Sequence, residues 1–127
     1  MRALIIKKPW LHKILAGTKT WEIRGSRTNI RGTIGLIESR SGTVVGFCEV
    51  IDCIGPLTAD EYRRDARRAG MLPAEANLGG YKNTFAWVLA NARLFKTSVP
   101  YRHTSGAVIW VALGEATEPA VKRRKTE

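Results

Sequence analysis

The alternation of apolar and polar positions divides the chain into short strands separated by a few helices. Ala3–Ile6 is an unbroken apolar run of strand length and predicts a buried strand. Pro9 then suits the first turn of a helix, where its missing N–H costs nothing. Trp10, Leu11, Ile14 and Leu15 supply that helix's apolar stripe, and Gly17 ends it. Thr20–Arg24 alternates, so Trp21 and Ile23 point to the core while Thr20, Glu22 and Arg24 share the other face. Gly25–Gly32 is a polar, basic loop. Thr33–Glu38 and Thr43–Asp52 read as strands joined around Ser41-Gly42. Thr58 and Glu61 form a capping box, predicting a helix through about Ala69 that Gly70 stops. Met71–Asn83, with Pro73 and Gly79-Gly80, reads as a connection, and Phe85–Leu89, Arg93–Lys96 and Val108–Leu113 as strands. Glu115–Glu127 lacks apolar periodicity and predicts a disordered tail.

This order predicts an α+β fold with a mixed, mainly antiparallel sheet curled toward a barrel and flanked by helices. The 127 residues suffice for one domain, placed at 1–114, with a basic tail at 115–127. Cys48 and Cys53, five apart in one strand, are expected on opposite faces, so no local disulfide is expected. With His12 and His103 they form no zinc-ligand spacing, and no metal site or cofactor is expected. No apolar run approaches the ~18 residues of a membrane span, and no secretory pattern opens the chain. The expectation is a cytoplasmic monomer without membrane contact, or a nuclear one if Lys122-Arg123-Arg124-Lys125 acts as a localisation patch.

Charge changes this picture. The net charge is +10, which favours a polyanionic partner. Residues 1–40 hold nine basic groups against two acidic ones, a net of +7, whereas residues 41–60 carry only Glu49, Asp52 and Asp60. One basic face near the N-terminal elements is expected. Arg63, Arg64, Arg67 and Arg68 read as a solvated helix face.

Candidate chemistry gathers in Gly17–Arg27. Lys19 lies at the helix-to-strand turn, with Glu22 and Arg24 on one strand face. Arg24 is suited to paired hydrogen bonds to a phosphate or a base edge. Glu22 is suited to accept from a base amino group or to orient Lys19. Ser26, Arg27 and Arg31, in the glycine-bounded loop, are candidates to follow a nucleic-acid backbone. Trp10, beside Lys7 and Lys8, is a candidate for base stacking. Tyr101, Arg102 and His103 precede the last strand and are candidates for a second wall. The competing reading is a surface ion-pair ladder worth ~1 kcal/mol or less per pair, with Trp10 and Trp21 as core aromatics.

Pro9-Trp10, then Ile14-Leu15-x-Gly17-x-Lys19-x-x-Glu22-x-Arg24, resembles the ASCH domain, a family related to the PUA domains of RNA-modifying proteins. Arg31-Gly32 with Ile34–Ile37, Val45-Gly46 through Cys53, Phe85–Leu89, Val99-Pro100-Tyr101 and Gly106–Trp110 extend the likeness over roughly residues 3–113. The resemblance implies a PUA-like β-barrel with a cleft against a helix, in which RNA or a nucleotide binds. Some members are single-strand ribonucleases, and some small bacterial members are amidohydrolases of N4-acetylcytidine. In those amidohydrolases the lysine matching Lys19 is catalytic and a threonine follows three residues later, where this chain has Glu22.

Three readings follow. In the first, RNA, another single-stranded nucleic acid or a nucleotide binds through Lys8, Trp10, Lys19, Glu22, Arg24, Ser26, Arg27, Arg31, Tyr101, Arg102 and His103. In the second, Lys19 and Glu22 are catalytic in a ribonuclease or an amidohydrolase, which needs the Lys19 pKa lowered, or a divalent metal for the nuclease. In the third, the partner of a regulatory domain is a protein.

Overall fold

The computed structural model describes residues 1–78 and 80–127; Gly79, expected in a connection, lies outside the described residues. Six strands form one mixed sheet: β1 (Arg2–Ile6), β2 (Trp21–Arg24), β3 (Gly32–Glu38), β4 (Thr43–Ile54), β5 (Phe85–Pro100) and β6 (Trp110–Ala112). Their order across the sheet is β2-β5-β4-β3-β1-β6. Only β1 and β3 pair in parallel, with Leu4 opposite Leu36; the other pairs are antiparallel. The sheet wraps as a half-barrel, matching the expected α+β, PUA-like class. Helices α1 (Trp10–Leu15), α2 (Ala59–Arg64) and α3 (Glu118–Lys125) and two 3-10 turns, Ala66–Ala69 and Pro73–Glu75, pack around it.

The alternation in the sequence explains which faces are covered. Leu11 and Ile14 of α1 join Leu4, Ile6, Leu36, Cys48 and Trp87 in one apolar cluster. Trp21 and Ala86 meet Leu57, Tyr62, Ala66 and Ala69 in a second, so the segment after β4 covers the β2 edge. That segment is anchored by the predicted capping box, with Thr58 and Glu61 exchanging hydrogen bonds. It departs from one continuous helix at Asp65, where the backbone tightens into the 3-10 turn that Gly70 closes in a left-handed conformation.

Three expectations change. Arg93–Lys96 is not a separate strand but lies within β5, which runs on to Pro100 because β4 accompanies it throughout. Cys48 and Cys53 both enter the same cluster: a bulge between Val50 and Asp52 exposes Ile51 and Asp52 consecutively and resets the alternation. Both remain free thiols. The tail expected to be disordered forms α3. Its helix is fastened by one apolar side chain, Val121, fully buried against Ala3, Ile37 and Phe95, while Arg93 donates to the Lys125 carbonyl. A single buried residue among basic neighbours leaves no periodicity to read. Among the described residues, no helix is long and apolar enough to cross a membrane.

Candidate nucleic-acid interface

A hollow of about 480 Å³ opens between β2, the β1–α1 connection and the segment after α2. That size lies within the ~300–1,000 Å³ of small-ligand clefts. Its floor is the motif read from the sequence. The turn after Gly17 and the first residues of β2 carry Lys19, Glu22 and Arg24 to the same side of the strand. Lys19 and Glu22 are 3% and 6% exposed, so the ladder is buried and not a surface one.

The floor cations are partnered by the protein. Lys19 Nζ donates to the carbonyls of Trp21 (2.5 Å) and Ala69 (2.9 Å) and lies 3.6 Å from Glu22 Oε1. Glu22 Oε2 accepts from Arg24 Nε at 2.9 Å and makes an ion pair with the guanidinium Nη2 at 2.8 Å. The same Nη2 donates to the Ile5 carbonyl at 3.1 Å, tying β2 to β1 across the hollow. Burial lowers the Lys19 pKa, with Glu22 opposing the shift and Lys13 and Arg24 reinforcing it. The Lys19 and Lys13 ammonium groups lie 5.2 and 5.0 Å from the centre of the Trp10 ring. Arg24 lies over Trp87, which stacks on Trp110 at 5.6 Å.

The walls are aromatic. Trp10 stands at the start of α1, Tyr62 projects from α2 with its hydroxyl on Met71, and Tyr81 closes the side above Gly25. A Cβ at Gly25 would meet Tyr81 Cδ1 at 2.6 Å, so the absent side chain is what lets that ring lie against β2. Lys7, Ser39 and Val108 complete the rim.

Of the residues proposed from sequence, the structure brings Trp10, Lys19, Glu22 and Arg24 together in this hollow. Tyr101 and His103 line an adjoining hollow, hydrogen-bonded to each other at 2.9 Å. Lys8 lies in a shallow depression nearby, paired with Glu38 at 3.1 Å. The loop cations are elsewhere, each bonded to backbone carbonyls outside the hollow. Arg27 donates to the Gly55 carbonyl and covers Phe85, while Arg31 donates to the carbonyls of Thr28 and Ile30. Ser26 is exposed and contributes its carbonyl to the Trp87 indole. Arg102 faces a separate depression beside Gly114 and Thr117.

The sequence match decides what kind of domain this is: the model of the ASCH domain covers residues 4–98. The chain belongs to the ASCH domain family. The family is PUA-like and generally linked to RNA binding. No curated protein matches the chain. Among solved structures it is similar to an ASCH protein from Zymomonas mobilis, at 14% identity and TM-score 0.73, covering 96% of this chain and 93% of that one. A tyrosine-to-phenylalanine variant of that protein gives 14% identity and TM-score 0.72, covering 96% of each chain. At this identity the likeness establishes the fold.

Sequence reasoning missed Lys7, Tyr62, Met71 and Tyr81 as parts of this ASCH hollow. For Lys7 the signal was its place beside Lys8 and Trp10. Tyr62 sits in the capped helix among arginines, and its inward direction follows from packing on Ala66 and Ala69. Among the described residues, no group of His, Cys, Asp and Glu could hold a metal ion.

Proposed function

We propose that this ASCH domain binds RNA or a nucleotide, with a base in the hollow above Glu22 and the phosphate toward the rim. The observation that carries the reading is a nearly buried carboxylate, held by two cations, at the floor of a cleft with three aromatic walls. A base presents an amino donor to such a carboxylate and flat faces to Trp10 and Tyr81, with buried Tyr62 closing the hollow behind them. Buried Lys19 and half-buried Arg24, both partnered, set the geometry of Glu22, and exposed Lys7 meets the phosphate.

A hydrolase reading rests on one observation, the lowered pKa of Lys19. Against it stand the two carbonyls that already receive Lys19 protons and the Glu22 carboxylate that pairs with its charge at 3.6 Å. Titrating a fluorescein-labelled single-stranded RNA decamer against the protein, by anisotropy at low and physiological salt, tests the binding reading. Salt-sensitive saturation with intact RNA is expected, and Tyr81→Ala is expected to weaken it about tenfold. Products that vanish in a folded Lys19→Met variant would transfer the assignment to catalysis. Absence of binding would overturn the proposal.

A further inference from the structure

The first hollow does not end at its rim. Ile5, Ser39 and Val108 are shared with a second hollow of about 430 Å³, which continues to Arg40, Gly42, Tyr101, His103 and Ala107. Two remote segments build it. One is the β3–β4 turn, where Arg40 adopts φ +68° and Ser41 braces the turn by bonding to Glu38 and Thr43. The other follows β5, where Tyr101 is fastened by its backbone N–H to the Gly42 carbonyl.

The charges along this path differ from those on the floor. Lys7, on the first rim, and Arg40, in the second hollow, are exposed and have no ion pair or side-chain hydrogen bond among the described residues. Between them stands Ser39, common to both hollows. The second hollow also carries an aromatic corner: the Tyr101 and exposed His103 rings meet edge-on at 5.9 Å and 67°. Free cations stand on either side of a shared ridge, and each hollow carries an aromatic surface, which is a repeated set of phosphate and base contacts and not one closed small-ligand site.

We propose that the second hollow is a subsite for the neighbouring nucleotide, so that the ligand is a single-stranded polynucleotide and not a free mononucleotide. The linking phosphate crosses the Ser39 ridge between Lys7 and Arg40, and the second base rests on the Tyr101–His103 corner. This rests on the reading of the first hollow as a base site.

The test is competition against the labelled RNA decamer by unlabelled adenosine and uridine 5′-monophosphates and by the corresponding 5′-phosphorylated dinucleotides. Each is titrated into wild type, Arg40→Ala and His103→Ala. Both substitutions lie outside the first hollow and on exposed positions, and circular dichroism checks that the variants fold. The dinucleotides are expected to compete about tenfold better than the mononucleotides, and each variant to lose most of that gain while binding mononucleotide as wild type does. Arg40→Ala is also expected to flatten the salt dependence of decamer binding by about 0.7 in log–log slope, one phosphate contact. Mononucleotides that compete as well as dinucleotides would overturn the second subsite and leave the first intact. Unchanged dinucleotide competition in both variants would do the same. Failure of the decamer to bind at all would overturn both.

Discussion

The cations of this ASCH domain belong to two populations. On the floor of the hollow, Lys19 is buried and Arg24 half-buried, and the protein supplies partners to both: the carbonyls of Trp21, Ala69 and Ile5, and the two oxygens of Glu22. On the rim, Lys7 and Arg40 stand in solvent without partners among the described residues. The same residue types therefore do different work. Desolvating a charge is costly, so a buried lysine or arginine persists only where the fold satisfies it, and it then serves as a strut. An exposed cation contributes little to folding but supplies attraction to a polyanion. On the proposed reading, the residues that match the family motif organise the site, and less conspicuous ones carry the contacts with phosphate.

The largest effect that would break this comparison is on stability at the floor. Lys19→Ala leaves Glu22 facing one cation instead of two and orphans the Ala69 and Trp21 carbonyls. The expected loss is about 3 kcal/mol or more by urea denaturation. A variant as stable as wild type would mean that Lys19 is not a strut.

Alkaline pH sharpens the comparison, because Cys48 is buried in the apolar cluster beneath the sheet. Burial, reinforced by Glu49 and Glu22, pushes its thiol from 9.0 up to about 12. The unfolded chain then releases this proton first, so Cys48 contributes fully below pH 9.0 and loses its contribution as pH rises toward 12. Lys19 acts in the opposite direction: its folded pKa lies below 10.5, so its contribution grows as pH rises toward that value. Subtracting the stability of Cys48→Ala from that of wild type isolates the thiol. The difference is expected to fall by about 1.4 kcal/mol per pH unit above pH 9, measured by urea melts across the alkaline range.

The smallest stability effect belongs to the rim. Lys7→Ala is expected to change stability by no more than about 0.5 kcal/mol. The same substitution is expected to flatten the salt dependence of RNA binding by about 0.7 in log–log slope. A large stability loss with an unchanged slope would reverse the assignment of the two populations.

How much of this was legible in the sequence follows from distance along the chain. The floor was legible because Lys19, Glu22 and Arg24 lie within six residues, and strand alternation places two of them together. The capping box at Thr58 and the Gly17 stop are likewise local. The walls were not legible: Tyr62 and Tyr81 come from a segment some forty to sixty residues downstream, and only the packing of Ala66 and Ala69 on Trp21 brings it over β2. The Gly25–Gly32 loop has a composition that suggests an anion track, and the sequence does not show which carbonyls its arginines reach. Arg31 instead supplies donors to the carbonyls of its own loop, and Arg27 reaches across to the Gly55 carbonyl. Helix α3 escaped notice because Val121 is its one buried residue, and its other ties, from Arg93 and the Met1 amino group, come from far along the chain.

The central claim is that a base enters between Trp10, Tyr62 and Tyr81 above Glu22. The most direct measurement is the set of four tryptophan indole N–H resonances in a two-dimensional nitrogen–proton NMR spectrum, with Trp10 assigned through Trp10→Phe, as the unlabelled RNA decamer is added. Trp10 is expected to shift and saturate, while Trp21, packed behind β2 against Ala66, stays fixed. Saturable binding that leaves the Trp10 resonance unmoved would place the ligand elsewhere and contradict the account.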